Sequence, residues 1–291
     1  MSFKFCSLSS GSSGNSEYIE TEHSKILVDA GFSGKAIEKL LDSINVNPTE
    51  LDAIFVTHEH SDHIKGIGVL SRRFDIPIIA NAETWYAMDS KIGKIKDKNI
   101  YIFENNRHIE FKDLDVLPIK TSHDSANSCG FVFSKDDKKL SIVTDTGIIE
   151  SSVYEEIKDS NLFFVEANHD IDMLKYGSYP MALKERILSD YGHLSNDACA
   201  NLLGDILTGN HEIVQLAHLS IENNTPAKAF ETVNDYLRSL GLDVGEDITL
   251  EVAERYVPSN IIDLEKMEIY AKNYTRNWKI NYKKIQKAHL V

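Results

Sequence analysis

The chain has 291 residues, is 42% hydrophobic and carries a formal net charge of −14. Length and apolar content allow one large core or two small ones, as in a folded globular protein, because the buried fraction of surface rises with length. The acidity argues against a polyanionic partner held by the surface as a whole, since affinity for nucleic acid comes largely from Lys and Arg neutralising phosphates; only a local patch is left for one.

No run of about 18 apolar residues occurs, and the opening MSFKFCSLSSGSSG lacks the basic, then apolar, then small-residue order of a secretory signal. A cytoplasmic protein with no membrane partner is the expectation. Cys6, Cys129 and Cys199 are odd in number, widely spaced and without a C-x-x-C pair, so all three read as small, buried, reduced residues.

In chain order, a Ser- and Gly-rich stretch from Ser9 to Asn15 comes first, a turn between strands whose backbone N–H groups and hydroxyls also suit a phosphate. KILVDAG then reads as a strand ending at Asp29, SGKAIEKLLDSI as a helix, AIFVTH as a strand ending at His58, and the segment from His63 through SRRF as a second helix. KIGKIKDKN, with Lys91, Lys94, Lys96 and Lys98, follows Trp85 and Tyr86; a solvated loop explains it without a flanking duplex.

Further strands, LSIVTD, LFFVEA and IVQLAH, end at Asp145, Glu166 and His218. The helices SSVYEEIKDS, YPMALKERILSD, SNDACANLLGDIL and TPAKAFETVNDYLRSLG lie around them, with Ser195 or Asn196 as an N-cap and Pro226 in a first turn. Nearly continuous apolar strands, each followed by a polar or ionisable residue, imply covered sheets with the chemistry at the strand ends.

No repeat or low-complexity linker divides the chain before its end, so residues 1–262 read as one catalytic domain and 263–291 as a basic, aromatic, helical extension. After Glu268 there is no acid, while Lys272, Arg276, Lys279, Lys283, Lys284 and Lys287 are basic and Tyr270, Tyr274, Trp278 and Tyr282 recur at every fourth position. Such a stripe packs against the domain or a second copy in a homo-oligomer, or it contributes phosphate and base contacts.

The densest chemistry is HEHSDH, His58 to His63, directly after the apolar run IFV. His58 and His60 of an extended segment point the same way, and Asp62 with His63 follow as the chain turns into a helix. Imidazole and carboxylate suit two divalent ions such as Zn, Mn or Fe, and the absence of cysteine partners disfavours a closed structural site.

This H-x-H-x-D-H pattern resembles the signature of the metallo-β-lactamase superfamily, and the further ligand stations of that family are found in order at His123 in KTSHDSANSCGF, Asp145 in SIVTDTG and His218 in VQLAHLSIENN. The resemblance implies an α/β fold, the αβ/βα sandwich: two mixed sheets face to face, helices outside, a dinuclear site along one edge. It further implies that His58, His60 and His123 hold one metal, that Asp62, His63 and His218 hold the other, and that Asp145 bridges them.

DYGHLSNDACANL resembles the G-H-S-T motif of the ribonuclease Z type of phosphodiesterase, with Leu194 interrupting the pattern; His193 matches its extra histidine and Glu166 in FFVEANHD its orienting acid. The opening SSGSSGN, with VDAGFSGKAIEKLL and AHLSIENN, is similar to the YycJ/WalJ-type bacterial exonucleases, and the PhnP-type cyclic phosphodiesterases lie nearby. The implied activity is 5′ to 3′ hydrolysis at duplex DNA ends by a hydroxide held between two metals, with Asp62, His193 and Glu166 in catalytic roles and Ser9, Ser10, Ser12, Ser13, Asn15 and His169 as substrate contacts. A small-molecule phosphodiesterase, a thioester or lactam hydrolase, and a scaffold that keeps its metals only to stay folded are the rival expectations.

Overall fold

Runs of Val, Ile and Phe give short strands throughout residues 2–270, the part of the chain that the computed structural model describes. In chain order they are β1 (Phe3–Ser9), β2 (Ser16–Thr21), β3 (Lys25–Val28), β4 (Ala53–Phe55), β5 (Ile78–Asn81), β6 (Ile100–Phe103), β7 (Ile109–Phe111), β8 (Leu114–Lys120), β9 (Cys129–Lys135), β10 (Lys138–Val143), β11 (Leu162–Glu166), β12 (Glu212–Ala217), β13 (Ile248–Val252), β14 (Ile261–Asp263) and β15 (Glu268–Tyr270). The helices are α1 (Gly34–Ser43), α2 (Ser61–Ile64), α3 (Ile67–Phe74), α4 (Ala82–Ile92), α5 (Ser151–Ile157), α6 (Ile171–Tyr176), α7 (Met181–Ile187), α8 (Asn196–Ile206) and α9 (Pro226–Ser239).

One sheet runs β15-β14-β1-β2-β3-β4-β5-β6 and the other β13-β12-β11-β10-β9-β8-β7. Both are mixed: β3 to β6 are parallel, as are β10 to β13, while β1 to β3 and β7 to β10 pair antiparallel. The expected αβ/βα sandwich follows from three apolar layers. Phe5, Ile19, Val28 and Phe55 meet Phe131, Phe133, Leu140 and Phe164 between the sheets. Ile37, Leu41, Leu70 and Met88 cover the outer face of the first sheet, and Val153, Leu203, Val233 and Leu237 cover that of the second.

The helix expected from His63 through Phe74 is broken into α2 and α3 at Gly66, whose N–H donates to the Ala30 carbonyl at 2.8 Å. A Cβ there would lie 2.5 Å from the Phe32 carbonyl oxygen, so the break brings the ligand turn hard against the end of β3. Ser195 is the N-cap of α8, accepting from Ala198 N–H, and Pro226 opens α9. Helix α4 was not among the expected elements; Asn81 caps it by accepting from Thr84 N–H. In the lysine-rich stretch that follows, Lys96 and Lys98 ion-pair with Asp75.

β15 pairs antiparallel with β14, so the first sheet continues past the expected boundary at 262. The remainder of the expected helical extension, 271–291, with its basic and aromatic residues, lies outside the described residues.

Phe55 stands at 5.4, 5.6 and 6.0 Å, edge-on, from the rings of Phe111, Phe131 and Phe133. Phe55→Ala should lower unfolding free energy by about 3–5 kcal/mol in a urea titration, since it opens a cavity between two sheets that cannot collapse.

Candidate active site

Parallel strands present their carboxyl ends on one side, and here β3, β4, β10, β11 and β12 all deliver polar residues to the same edge of the sandwich. Asp29 just after β3, Asp145 just after β10 and His218 just after β12 adopt left-handed backbone, with φ of 59°, 55° and 54°. Conformations this unusual for non-glycine residues turn the chain at once and keep each side chain in the cleft.

Asp29 was recognised as a strand end but given no role, and it proves to be the anchor of the HEHSDH turn. Its Oδ1 accepts from Thr57 N–H at 2.9 Å, and its Oδ2 lies 2.6 Å from Thr57 Oγ1 and 2.7 Å from His63 Nδ1. With Nδ1 committed to Asp29, His63 presents Nε2 to the cleft. Gly31 lets the chain pass Asp62 closely, for a Cβ there would lie 1.7 Å from the Asp62 carbonyl oxygen. Asn15 locks the same turn: its N–H donates to that oxygen at 2.8 Å, and its Nδ2 lies 3.1 Å from His63 Nε2.

Four groups of candidate ligand atoms result, each gathered within 4.8 Å: His58, His60 and His123; Asp62, His63 and His218; His58, His63 and Asp145; and Asp145, Glu166, His193 and His218. The first two groups match the two expected ligand sets, and the third puts Asp145 between them. Asp145 Oδ2 is 3.3 Å from His63 Nε2, and its Oδ1 is 3.7 Å from His123 Nε2 and 3.5 Å from His218 Nδ1.

The donor set fits divalent cations. His60 Nδ1 is 3.1 Å from His58 Nε2 and 3.3 Å from His123 Nε2, a convergence of imidazole nitrogens that a shared cation satisfies. Burial, followed by neighbouring histidine charge, pushes His58 well below the usual imidazole range, and burial also lowers His123, so both rings are neutral, the form that a cation requires. The buried Oδ2 of Asp145 and Nε2 of His218 make no hydrogen bond.

Behind these groups, Glu166 accepts at Oε1 from His193 Nδ1 at 2.7 Å and from His218 Nδ1 at 2.9 Å, and at Oε2 from the N–H groups of Thr146 and Leu194. Burial raises its carboxyl, but His193 and His218 more than reverse this and hold it at about 2. Burial lowers His218 likewise, and Asp145, Asp62 and Glu166 carry it up to about 10. His193 is part-exposed, its ring 5.0 Å from that of His123 and 5.2 Å from that of His218.

The expected substrate contacts divide. Ser9, Ser10 and Asn15 are buried, and Ser10 Oγ accepts from His218 N–H at 2.8 Å, so Ser10 and Asn15 brace the loops that carry the expected ligands. Ser12 is exposed and Ser13 half-buried. His169 is buried beside Glu166, with burial lowering it to about 4 and neither ring nitrogen hydrogen-bonded.

Comparison with known proteins places this geometry. Residues 24–211 match the profile of the Beta-lactamase superfamily domain. The chain is 41% identical over 261 residues to exodeoxyribonuclease YycJ of Bacillus anthracis, covering 90% of this chain and 99% of that protein. It is 44% identical over 247 residues to exodeoxyribonuclease WalJ of Streptococcus pneumoniae, covering 84% and 92%. Among solved structures, the metallo-β-lactamase fold protein YhfI of Bacillus subtilis superimposes with a TM-score of 0.67 at 14% identity, over 89% of this chain and 99% of that one. A diphosphatase of the PhnP family does so with a TM-score of 0.62 at 15% identity, over 90% and 98%.

A raised His218 stabilises the metal-free fold fully below its unfolded value of 6.5, and that stability is lost as pH rises through about 10. Chelator-treated protein should therefore lose melting temperature between pH 6.5 and 10 in calorimetry. Metal-loaded protein should show a much smaller fall over the same window, since His218 as an expected ligand would be deprotonated throughout it.

Proposed function

This chain belongs to the metallo-β-lactamase superfamily and, within it, to the family of the YycJ and WalJ exodeoxyribonucleases, and from that premise we propose that it is a metal-dependent phosphodiesterase that removes nucleotides from DNA in the 5′ to 3′ direction. The observation that carries the reading is the Glu166–His193 pair at 2.7 Å beside the two expected ligand groups. A lactam or thioester hydrolase has no need of that second acid–base pair.

His58, His60 and His123 would hold one divalent ion, Asp62, His63 and His218 the other, and Asp145 would touch both; Zn, Mn or Fe suits this donor set. When bound, such ions supply Lewis acidity toward the phosphoryl oxygens and an activated water at neutral pH. The protein supplies the rest. Asp29 and Glu166 fix the rings of His63 and His218 through their Nδ1 atoms, and Glu166 fixes His193 in the same way. His193 then carries a proton at Nε2 toward the departing sugar oxygen, whose negative charge is neutralised as the phosphorus–oxygen bond breaks. A cytoplasmic setting agrees with Cys6, Cys129 and Cys199 being buried thiols outside any disulfide. No helix among the described residues is long and apolar enough to cross a membrane.

End-labelled DNA incubated with protein reloaded with Mn or Zn should shorten stepwise from the 5′ end. His60→Ala should lose bound metal and activity together, whereas His193→Ala should keep its metal by elemental analysis and lose activity by about 10²-fold or more, the scale of a general acid. A metal-loaded His193→Ala protein of undiminished activity removes that residue from the reaction. Turnover of small phosphodiesters with no shortening of DNA under any metal transfers the assignment to a small-molecule phosphodiesterase.

A further inference from the structure

Asp29 and Glu166 hold imidazole Nδ1 atoms, and Asp62 and Asp145 belong to the expected ligand sets. Asp124, the residue after His123, does neither. Its Oδ1 nevertheless stands 3.5 Å from His123 Nε2, the atom that also lies 3.3 Å from His60 Nδ1 and 3.7 Å from Asp145 Oδ1. A carboxylate oxygen nearer to this donor atom than that of the expected bridging ligand would itself suit a divalent ion. Yet Asp124 joins none of the four groups of ligand atoms found among the described residues.

Arg186, in the last turn of α7, accounts for the difference. Its Nε donates to Asp124 Oδ2 and its Nη2 to Asp124 Oδ1, the latter at 2.9 Å, so one guanidinium fork engages both carboxylate oxygens. The two side chains are 48% and 34% exposed, and an ion pair that open to water adds little to stability. Its value lies elsewhere.

The backbone on both sides of the pair is fixed. Asp124 N–H donates to the Tyr191 carbonyl at 3.2 Å, the Gly192 carbonyl lies 3.1 Å from His123 Nδ1, and Ser189 N–H donates to the Arg186 carbonyl at 3.2 Å. A Cβ on Gly192 would lie 2.4 Å from the Arg186 carbonyl oxygen, so the turn that leads to His193 closes directly on the residue that grips Asp124. What the guanidinium decides is therefore the direction of the Asp124 carboxylate.

We propose that Arg186 is a positioning residue that withholds Asp124 from the first ligand set, His58, His60 and His123, and so keeps a coordination position there open for substrate. This rests on the ligand assignment above and not on which phosphodiester is cleaved. Without the guanidinium, rotation about the side-chain bonds of Asp124 adds an anionic ligand where a phosphoryl oxygen has to enter. Tighter metal and slower turnover then go together, whereas loss of an ordinary supporting residue weakens both.

The test loads the full chain with Co(II), follows binding by visible absorption, and measures turnover on bis(p-nitrophenyl) phosphate. Arg186→Gln should bind Co(II) about tenfold more tightly and hydrolyse the ester about tenfold more slowly, the scale on which partners around a metal ligand act, with visible bands weakened by the added ligand. Arg186→Met, which keeps the apolar stem, should do the same and serves if the glutamine variant does not fold. Asp124→Asn placed in either variant should return affinity, spectrum and turnover toward wild type, because an amide is the poorer ligand. Tighter binding that persists without the Asp124 carboxylate comes from the lost positive charge alone and overturns the proposal, as does Co(II) affinity that is unchanged or weaker in the Arg186 variants. A wild type that binds no Co(II) overturns the ligand assignment and the proposal with it. Failure of the wild type to shorten DNA overturns the nuclease reading alone, since none of these readouts uses DNA.

Discussion

The cleft depends on one electrostatic constraint: charged groups buried between two sheets must be compensated where they stand. Glu166 shows how far this goes, with four donors converging on one carboxylate from three separate segments. Without them a buried carboxyl would be driven upward and neutralised. Glu17, also buried, is that case: burial, then the charge of Asp29, raises its carboxyl well above the ordinary range. Two buried glutamates thus differ in charge because of their partners, and Glu166 is the one that accepts hydrogen bonds from imidazoles, those of His193 and His218.

The same constraint explains the odd backbone at the strand ends. A carboxylate placed inside a strand would meet the apolar inter-sheet layer of Phe131 and Phe164, whereas one placed on the first residues beyond it reaches the cleft. The left-handed turns at Asp29, Asp145 and His218 make that change of environment within a residue or two. Their strain is offset by what they hold. Asp29 alone engages Thr57 twice and His63 once. Side chains that are scattered along the chain, from His58 to His218, can therefore converge without any flexible loop having to find its place.

How much of this was legible follows from which interactions are local. HEHSDH and the strand-end residues could be read because ligand types follow apolar runs within a few positions, and the two sheets because those runs are nearly continuous. The anchoring role of Asp29 could not, since an aspartate before Ala-Gly looks like any turn residue until His63 is folded against it. The burial of Ser10 and Asn15 was equally hidden: a Ser/Gly-rich turn has the same composition whether its hydroxyls face a ligand or accept from the backbone of His218. Gly66 was read through as helix because its near neighbours keep helical spacing, while the reason for the break, contact with Phe32, lies outside that window. Helix α4 escaped because its apolar positions form no clear stripe.

An acidic nuclease presents a conflict between partner and surface that the proposed reading resolves inside the cleft. On the segment that leads to His193, Arg186 is engaged by Asp124 and Lys184 by the carbonyls of Lys175 and Gly177. Neutralising charge for the scissile phosphate would therefore come from divalent ions that the proposed ligand groups would hold, where a buried setting makes each charge count for more than it would on an exposed surface.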